Sequence, residues 1–408
     1  LFQDAAGTIP VTGVEQPVGR MLDKSGNGNH ASQATTTARP ILSAKYNLLP
    51  NTVFAGAVSG TAATSVQPTG WSKVFWTGSI DVDNSAGDSA VTFSTTSGRM
   101  VIGYQFSVTA GQTYVCSADI EIVSGSYTPI SVIDFTASGT GAVRQYFLNG
   151  TPVDSGNLTS GGRLVCVLTV GSDASACTFR LGSGANAART GVIKISRPDV
   201  RLFADSSILP NYQRVVSSSE YSTNGFPYYL LFDGVDDFLD AGTLDFSAAT
   251  QATAVIGIQK LSDAISANPY SHGLSTGQNG AFRFLAPANA GQASVRASAR
   301  GADGVRQETV GTNDKAAPIK LVLCSTYGAN APVSIRYNGT ESRVSAGTLG
   351  ALVLPSARSV IGAKVTGETT QSNFFLGRIY GLAHIARALS PVEQRILEQF
   401  IRNKSRAY

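Results

Sequence analysis

Apolar and polar side chains alternate with a period of two along most of this chain. The pattern is clearest in Gly103-Tyr104-Gln105-Phe106-Ser107-Val108, in residues 113–122 and in residues 163–170. Successive strand side chains point to opposite faces, so this spacing predicts half-buried strands of a sandwich between about 47 and 203. A second block of the same kind runs from Tyr228 to about His384, with its clearest strands at 229–232, 253–258, 320–324 and 333–337. Within it, Tyr337-Asn338-Gly339-Thr340 carries the Asn-Gly pair suited to a type I′ hairpin. The pattern changes only at the end. Ser390-Pro391-Val392-Glu393 supplies an N-cap, a first-turn proline and a glutamate at N3, ahead of Ile396, Leu397, Phe400 and Ile401. Those four positions predict one apolar stripe on a C-terminal helix, docked on the sandwich or against a neighbouring subunit.

Residues 1–45 hold a short apolar patch and then turn chemistry. In Asp23-Lys24-Ser25-Gly26-Asn27-Gly28-Asn29-His30, glycine and asparagine suit the positive φ of successive turns, with the asparagines expected to cap them. A chain of 408 residues fits two compact domains, and its 14% of charged residues is low for a helical enzyme. The net charge of +4 is spread without a basic block, so no nucleic-acid partner is expected. No apolar stretch approaches the roughly 20 residues that span a bilayer, so no membrane insertion is expected. Cys116, Cys166, Cys177 and Cys324 lack metal-site or redox spacing and are read as buried thiols, with a disulfide among the first three as the alternative. Because the chain opens on Leu1 rather than Met, a longer precursor is expected.

The opening Leu1-Phe2-Gln3-Asp4-Ala5-Ala6-Gly7-Thr8, the run Met21 to Ala31 and Ala38-Arg39-Pro40 resemble the start of a family of phage and prophage structural proteins. In that family the segment leads into a concanavalin-A-like, or laminin-G-like, lectin jelly roll. Tyr229-Leu230-Leu231-Phe232-Asp233-Gly234-Val235-Asp236-Asp237-Phe238-Leu239 looks like the fold's hallmark strand, and Phe375-Leu376-Gly377-Arg378-Ile379-Tyr380-Gly381-Leu382 like its closing strand. Asn47-Leu48-Leu49-Pro50-Asn51, Gly70-Trp71, residues 111–119 and residues 190–198 look like a carbohydrate-binding-module jelly roll. The resemblance implies an all-β chain of two jelly-roll sandwiches, the second inserted in the first, with a C-terminal α-helix. Residues 1–45 and 205–408 would form the lectin-like domain and 46–204 the insert. It further implies a virion location, tail-fibre or head-fibre, with bacterial surface polysaccharide and other virion proteins as partners and a homo-oligomer, a trimer, as the assembly. A purely architectural virion component is the other reading.

Sugar binding needs aromatic faces and hydrogen-bonding side chains on loops or a concave sheet. Trp76 and Tyr146 in the insert, and Tyr270, His272 and Asn279 in a Ser/Asn/Gly-rich loop whose composition suits exposure, are the ligand-binding candidates. Trp71 is read as core. Asp233, Asp236 and Asp237 are the densest acids; turn stabilisation is the first reading and calcium the metal that carboxylates suit. No paired carboxylates at a fixed separation and no GxSxG-type nucleophile motif stand out, so no catalytic residue and no enzymatic activity are expected.

Overall fold

The period-two runs pair antiparallel throughout. The structure is a computed structural model and describes all residues except 84–88, 154–155, 207–210, 275–276, 310, 312, 407–408 and the side chain of Glu341. The fold is all-β: two jelly-roll sandwiches, one inserted in the sequence of the other, and a C-terminal helix. Leu1–Ala44 with Pro227–Tyr408 make one compact unit, Lys45–Phe226 the other.

In the first unit, one eight-stranded sheet runs in the order Gln16–Pro17, Ile41–Ser43, Tyr229–Asp233, Leu376–Ile385, Gln251–Lys260, Ile319–Gly328, Pro332–Tyr337, Glu341–Thr348. Segments before and after the insert therefore pair directly, Leu42 opposite Leu230. The second eight-stranded sheet has Leu239–Asp245, Ser356–Ile361, Tyr270–His272 and Phe282–Leu285 at its centre. Phe232, Ile256, Phe284, Leu323, Ile335 and Phe375 belong to one core cluster, each completely buried. Each such side chain contributes about 1.5–3 kcal/mol by leaving water. Asn338 and Gly339 take φ of 52° and 75°, the paired positive values that a type I′ turn requires.

The helix Pro391–Ser405 starts as the sequence predicts: Ser390 Oγ accepts from the Glu393 amide and Glu393 Oε2 from the Ser390 amide. Its stripe is only half used. Ile401 is buried with Val255, Val322 and Cys324, and Leu397 packs on that group, whereas Ile396 and Phe400 are exposed. Glycines explain the close approach: a Cβ on Gly257 would lie 2.5 Å from Ile401 Cγ2, and one on Gly381 2.9 Å from Ile401 Cδ1. A third anchor is polar, since buried Glu398 accepts from Arg336 Nε at 2.9 Å.

In the second unit, an eight-stranded sheet centred on Thr113–Gly125, Arg189–Leu202 and Gly162–Thr169 belongs with a four-stranded sheet ordered Ile133–Ala137, Ala176–Ser183, Met100–Ser107, Ser72–Trp76. Their shared core holds Phe93, Ile102, Leu164, Phe179, Ile193 and, as predicted, Trp71. The four cysteines are buried free thiols. Cys116 and Cys166 are cross-strand neighbours, and burial pushes the Cys166 thiol up to about 12, as expected of an inert core residue.

The inserted unit ends at Phe226, beyond the 204 that strand periodicity indicates, because an irregular segment holds its two ends together. Gln213 Oε1 accepts from the amides of Tyr46 and Asn47 at 2.7 and 2.8 Å, and Asn47 Nδ2 donates to Gln213 O at 3.0 Å. Beside them the buried Arg201–Asp199 ion pair takes the Gln213 amide on Asp199 Oδ2, and Tyr46 stacks on Phe226.

Candidate functional site

The aromatic and polar candidates mostly turn inward. Tyr270 and His272 lie on a central strand rather than in an exposed loop, with exposures of 1% and 0%. That expectation is corrected: neither can meet a ligand. Polar side chains stay inside because they satisfy one another. His272 Nδ1 is 2.8 Å from Ser359 Oγ, His272 Nε2 3.3 Å from Pro355 O, and Tyr270 Oη 2.6 Å from His384 Nδ1. The Ser359 and His272 pair is enclosed and leads to a carbonyl rather than a carboxylate.

Tyr146 is half-buried, its hydroxyl donating to Ile133 O at 3.0 Å, and burial raises its pKa. It ties one sheet of the insert to the other. Trp76 is also half-buried; its indole N–H donates to Ser65 Oγ at 3.1 Å and the Lys73 ammonium sits 4.8 Å from the ring centroid. The indole is thus engaged by the core, a hydrogen bond and a cation. Asn279 is exposed, with Nδ2 donating to Ala302 O at 3.0 Å.

The acidic turn closes on itself. Asp233 Oδ1 accepts from the amides of Val235, Asp236 and Asp237, and Asp237 Oδ2 accepts from the Asp233 amide at 3.0 Å. One oxygen from each of the three acids lies within 4.8 Å of the others, an all-oxygen set chemically suited to calcium. These acids supply three of the 6–8 ligands calcium takes, and Asp233 Oδ1 already serves backbone amides. Burial first, and then the charges of Asp233 and Asp236, push the Asp237 carboxyl up to about 6. In the loop at residues 23–30 the cap is likewise a carboxylate, not the predicted asparagines: Asp233's counterpart there is Asp23, which accepts from Ser25 and Asn29 amides.

An open pocket of about 430 Å³ lies elsewhere, on the insert, lined by Phe75, Thr77, Thr96, Ser97, Arg99 and Ala188. It forms where the edge strand Ser72–Trp76 leaves its sheet and meets the turn joining Ala90–Gly98 to Met100–Ser107. Thr77 fastens the two: its amide donates to Arg99 O at 2.9 Å and its hydroxyl accepts from the Arg99 amide at 2.7 Å. Gly98 is required there, because a Cβ would come within 2.3 Å of Thr77 Oγ1. The Arg99 guanidinium stacks on Phe75, 3.2 Å from the ring centroid, and is held by Gly184 O and Ala185 O at 2.7 and 2.6 Å. Thr96 and Ser97 are exposed. The arrangement offers an apolar wall, a fixed cation and hydroxyls at one open surface, the mixture that small polar ligands need.

Sequence reasoning passed over Phe75 and Arg99 because the neighbouring tryptophan drew the choice. Strand alternation held the signal, since Trp76 packing on the core sends Phe75 to the opposite face.

No family model matches the chain, and no curated protein matches it. Among solved structures it is similar to the CBM40 module of a Ruminococcus gnavus IT-sialidase, at 16% identity over 37% of this chain and 84% of that one, TM-score 0.30. It is also similar to a heptameric SAP-like pentraxin from Limulus polyphemus, at 14% identity over 41% and 80%, TM-score 0.34. Domains LG4-5 of the mouse laminin α1 chain align at 12% identity over 76% and 96%, TM-score 0.29.

Proposed function

We propose that this protein is a non-catalytic glycan-recognition protein and that the Phe75–Arg99 pocket of the insert is its binding surface. The observation that carries the reading is that pocket's composition: an aromatic ring, an anchored guanidinium and exposed hydroxyls around about 430 Å³ of open volume, within the roughly 300–1,000 Å³ of small-ligand sites. The motif resemblance at the N-terminus and at residues 229–239 supports a phage particle as its setting, with bacterial surface polysaccharide as the ligand and other virion proteins as neighbours. A homo-oligomer, a trimer, fits that setting, because linked copies raise effective concentration and compensate for a weak single site.

A second reading, an architectural virion component without a sugar ligand, draws on the burial of Tyr270 and His272. An array of bacterial polysaccharides probed with the whole protein and with Phe75→Ala separates the two. Binding that the substitution abolishes supports recognition; no binding by the unaltered protein leaves the architectural reading.

A further inference from the structure

The way Arg99 is held leaves a specific part of it unused. Its Nε and Nη2 donate to the carbonyls of Gly184 and Ala185, which occupies one side of the guanidinium. A guanidinium carries five N–H donors, so both hydrogens of Nη1 and the second of Nη2 are left on the opposite end, and that end matches the two oxygens of a carboxylate.

The surroundings favour an anion. Arg180 places a second guanidinium 5.6 Å from the centroid of the same Phe75 ring. Asp134 is the acid nearest Arg180, at 3.8 Å, and it is shared with Arg144, also at 3.8 Å. Arg180 Nε is enclosed and has no hydrogen-bond partner among the described residues. Desolvation, and then repulsion from Arg180, lower the Arg99 pKa, with the Asp134 carboxylate opposing them. The exposed Thr96 and Ser97 border the same space, and neither hydroxyl has a hydrogen-bond partner among the described residues.

We propose that this pocket takes a carboxylated sugar residue, its carboxylate on the free end of Arg99 and its hydroxyls on Thr96 and Ser97. This assignment rests on the glycan-recognition reading above and narrows it to sugar acids.

The test titrates the whole protein with an oligogalacturonate and, separately, with an uncharged galacto-oligosaccharide of equal length, by calorimetry at low and at physiological salt. The acidic ligand should bind about tenfold or more tightly, and its affinity should fall with salt. Arg99→Lys, which keeps the charge but loses the fork, should weaken the acidic ligand about tenfold and the neutral one by clearly less. Because Arg99 also holds Gly184 and Ala185, the double substitution Thr96→Val with Ser97→Ala serves as the second variant and should weaken the acidic ligand with the melting temperature unchanged. Equal binding of both ligands, or acidic binding that neither variant alters, overturns the sugar-acid assignment while glycan recognition stands. Binding of neither ligand overturns the assignment, and it overturns glycan recognition as well only if the polysaccharide array is also blank.

Discussion

Tyr270 Oη lies 2.6 Å from His384 Nδ1, and Tyr327 Oη lies 2.9 Å from Nε2 of the same ring, so one imidazole joins a tyrosine of each sheet of the first unit. Proton placement along the whole network follows from its ends. Pro355 O can only accept, so His272 Nε2 must carry a proton and Nδ1 must accept from Ser359. Among the described residues the Tyr327 hydroxyl has no other acceptor, so it donates to His384 Nε2. His384 Nδ1–H then donates to Tyr270, whose hydroxyl donates to Ser359 Oγ at 3.4 Å. Every donor finds an acceptor in this one direction.

Nitrogen-15 NMR of the imidazoles should therefore show both histidines neutral at pH 7 and in opposite tautomers, His272 protonated on Nε2 and His384 on Nδ1. Matching tautomers would break the chain of donors as drawn.

Acid should weaken the first unit. Burial lowers His272 to about 4, and burial with repulsion from His272 takes His384 well below the ordinary value of 6.5. The unfolded chain then binds protons that the folded chain refuses, so stability present above pH 6.5 is lost as pH falls towards 4. For His272 alone the loss is about 3 kcal/mol. Melting temperature measured from pH 7.5 to 4.5 should fall across this window; a flat or rising profile would contradict neutral buried imidazoles.

Asp237 acts with the opposite sign. Its folded value of about 6 exceeds the ordinary 3.8, so its contribution is present below pH 3.8 and is lost as pH rises through 6. Asp237→Asn keeps an oxygen for the Asp233 amide and removes the buried charge. The substitution should stabilise the protein by about 1–3 kcal/mol at pH 7.5 and by almost nothing at pH 4. It should also make the acid loss of the preceding paragraph steeper. Chemical denaturation with and without millimolar calcium checks this, and a variant less stable than wild type only when calcium is present would mean that the turn holds the metal.

Gln213→Ala should cost about 1–3 kcal/mol, since the amides of Tyr46 and Asn47 lose their buried acceptor. Thermal melting followed by a probe within the insert reads the loss, and an unchanged transition would remove Gln213 as the tie between its two ends.

How much of this could be read from the chain depended on whether local chemistry decided the outcome. The capping box at Ser390 and the turn at Asn338-Gly339 are local and were legible. Half of the helix stripe was not, because docking on Gly257 and Gly381 selects the Leu397 and Ile401 side, which no periodicity reveals. Tyr-Ser-His at 270–272 reads as loop by composition. It forms a core strand because partners up to 114 residues away satisfy its polar atoms. The pocket escaped for a related reason: Phe75 and Arg99 are distant in sequence, and it is the pairing of Phe75 with Val101 and Trp76 with Met100, together with the Thr77 hydrogen bonds, that brings them together.

Glycan recognition by the insert is tested most directly by where a bound glycan touches the protein. Hydrogen–deuterium exchange, with and without a polysaccharide that binds on the array, should show protection at residues 72–77 and 96–99. Protection confined to 233–237 or to the neighbourhood of Asn279, with 96–99 unchanged, would contradict it.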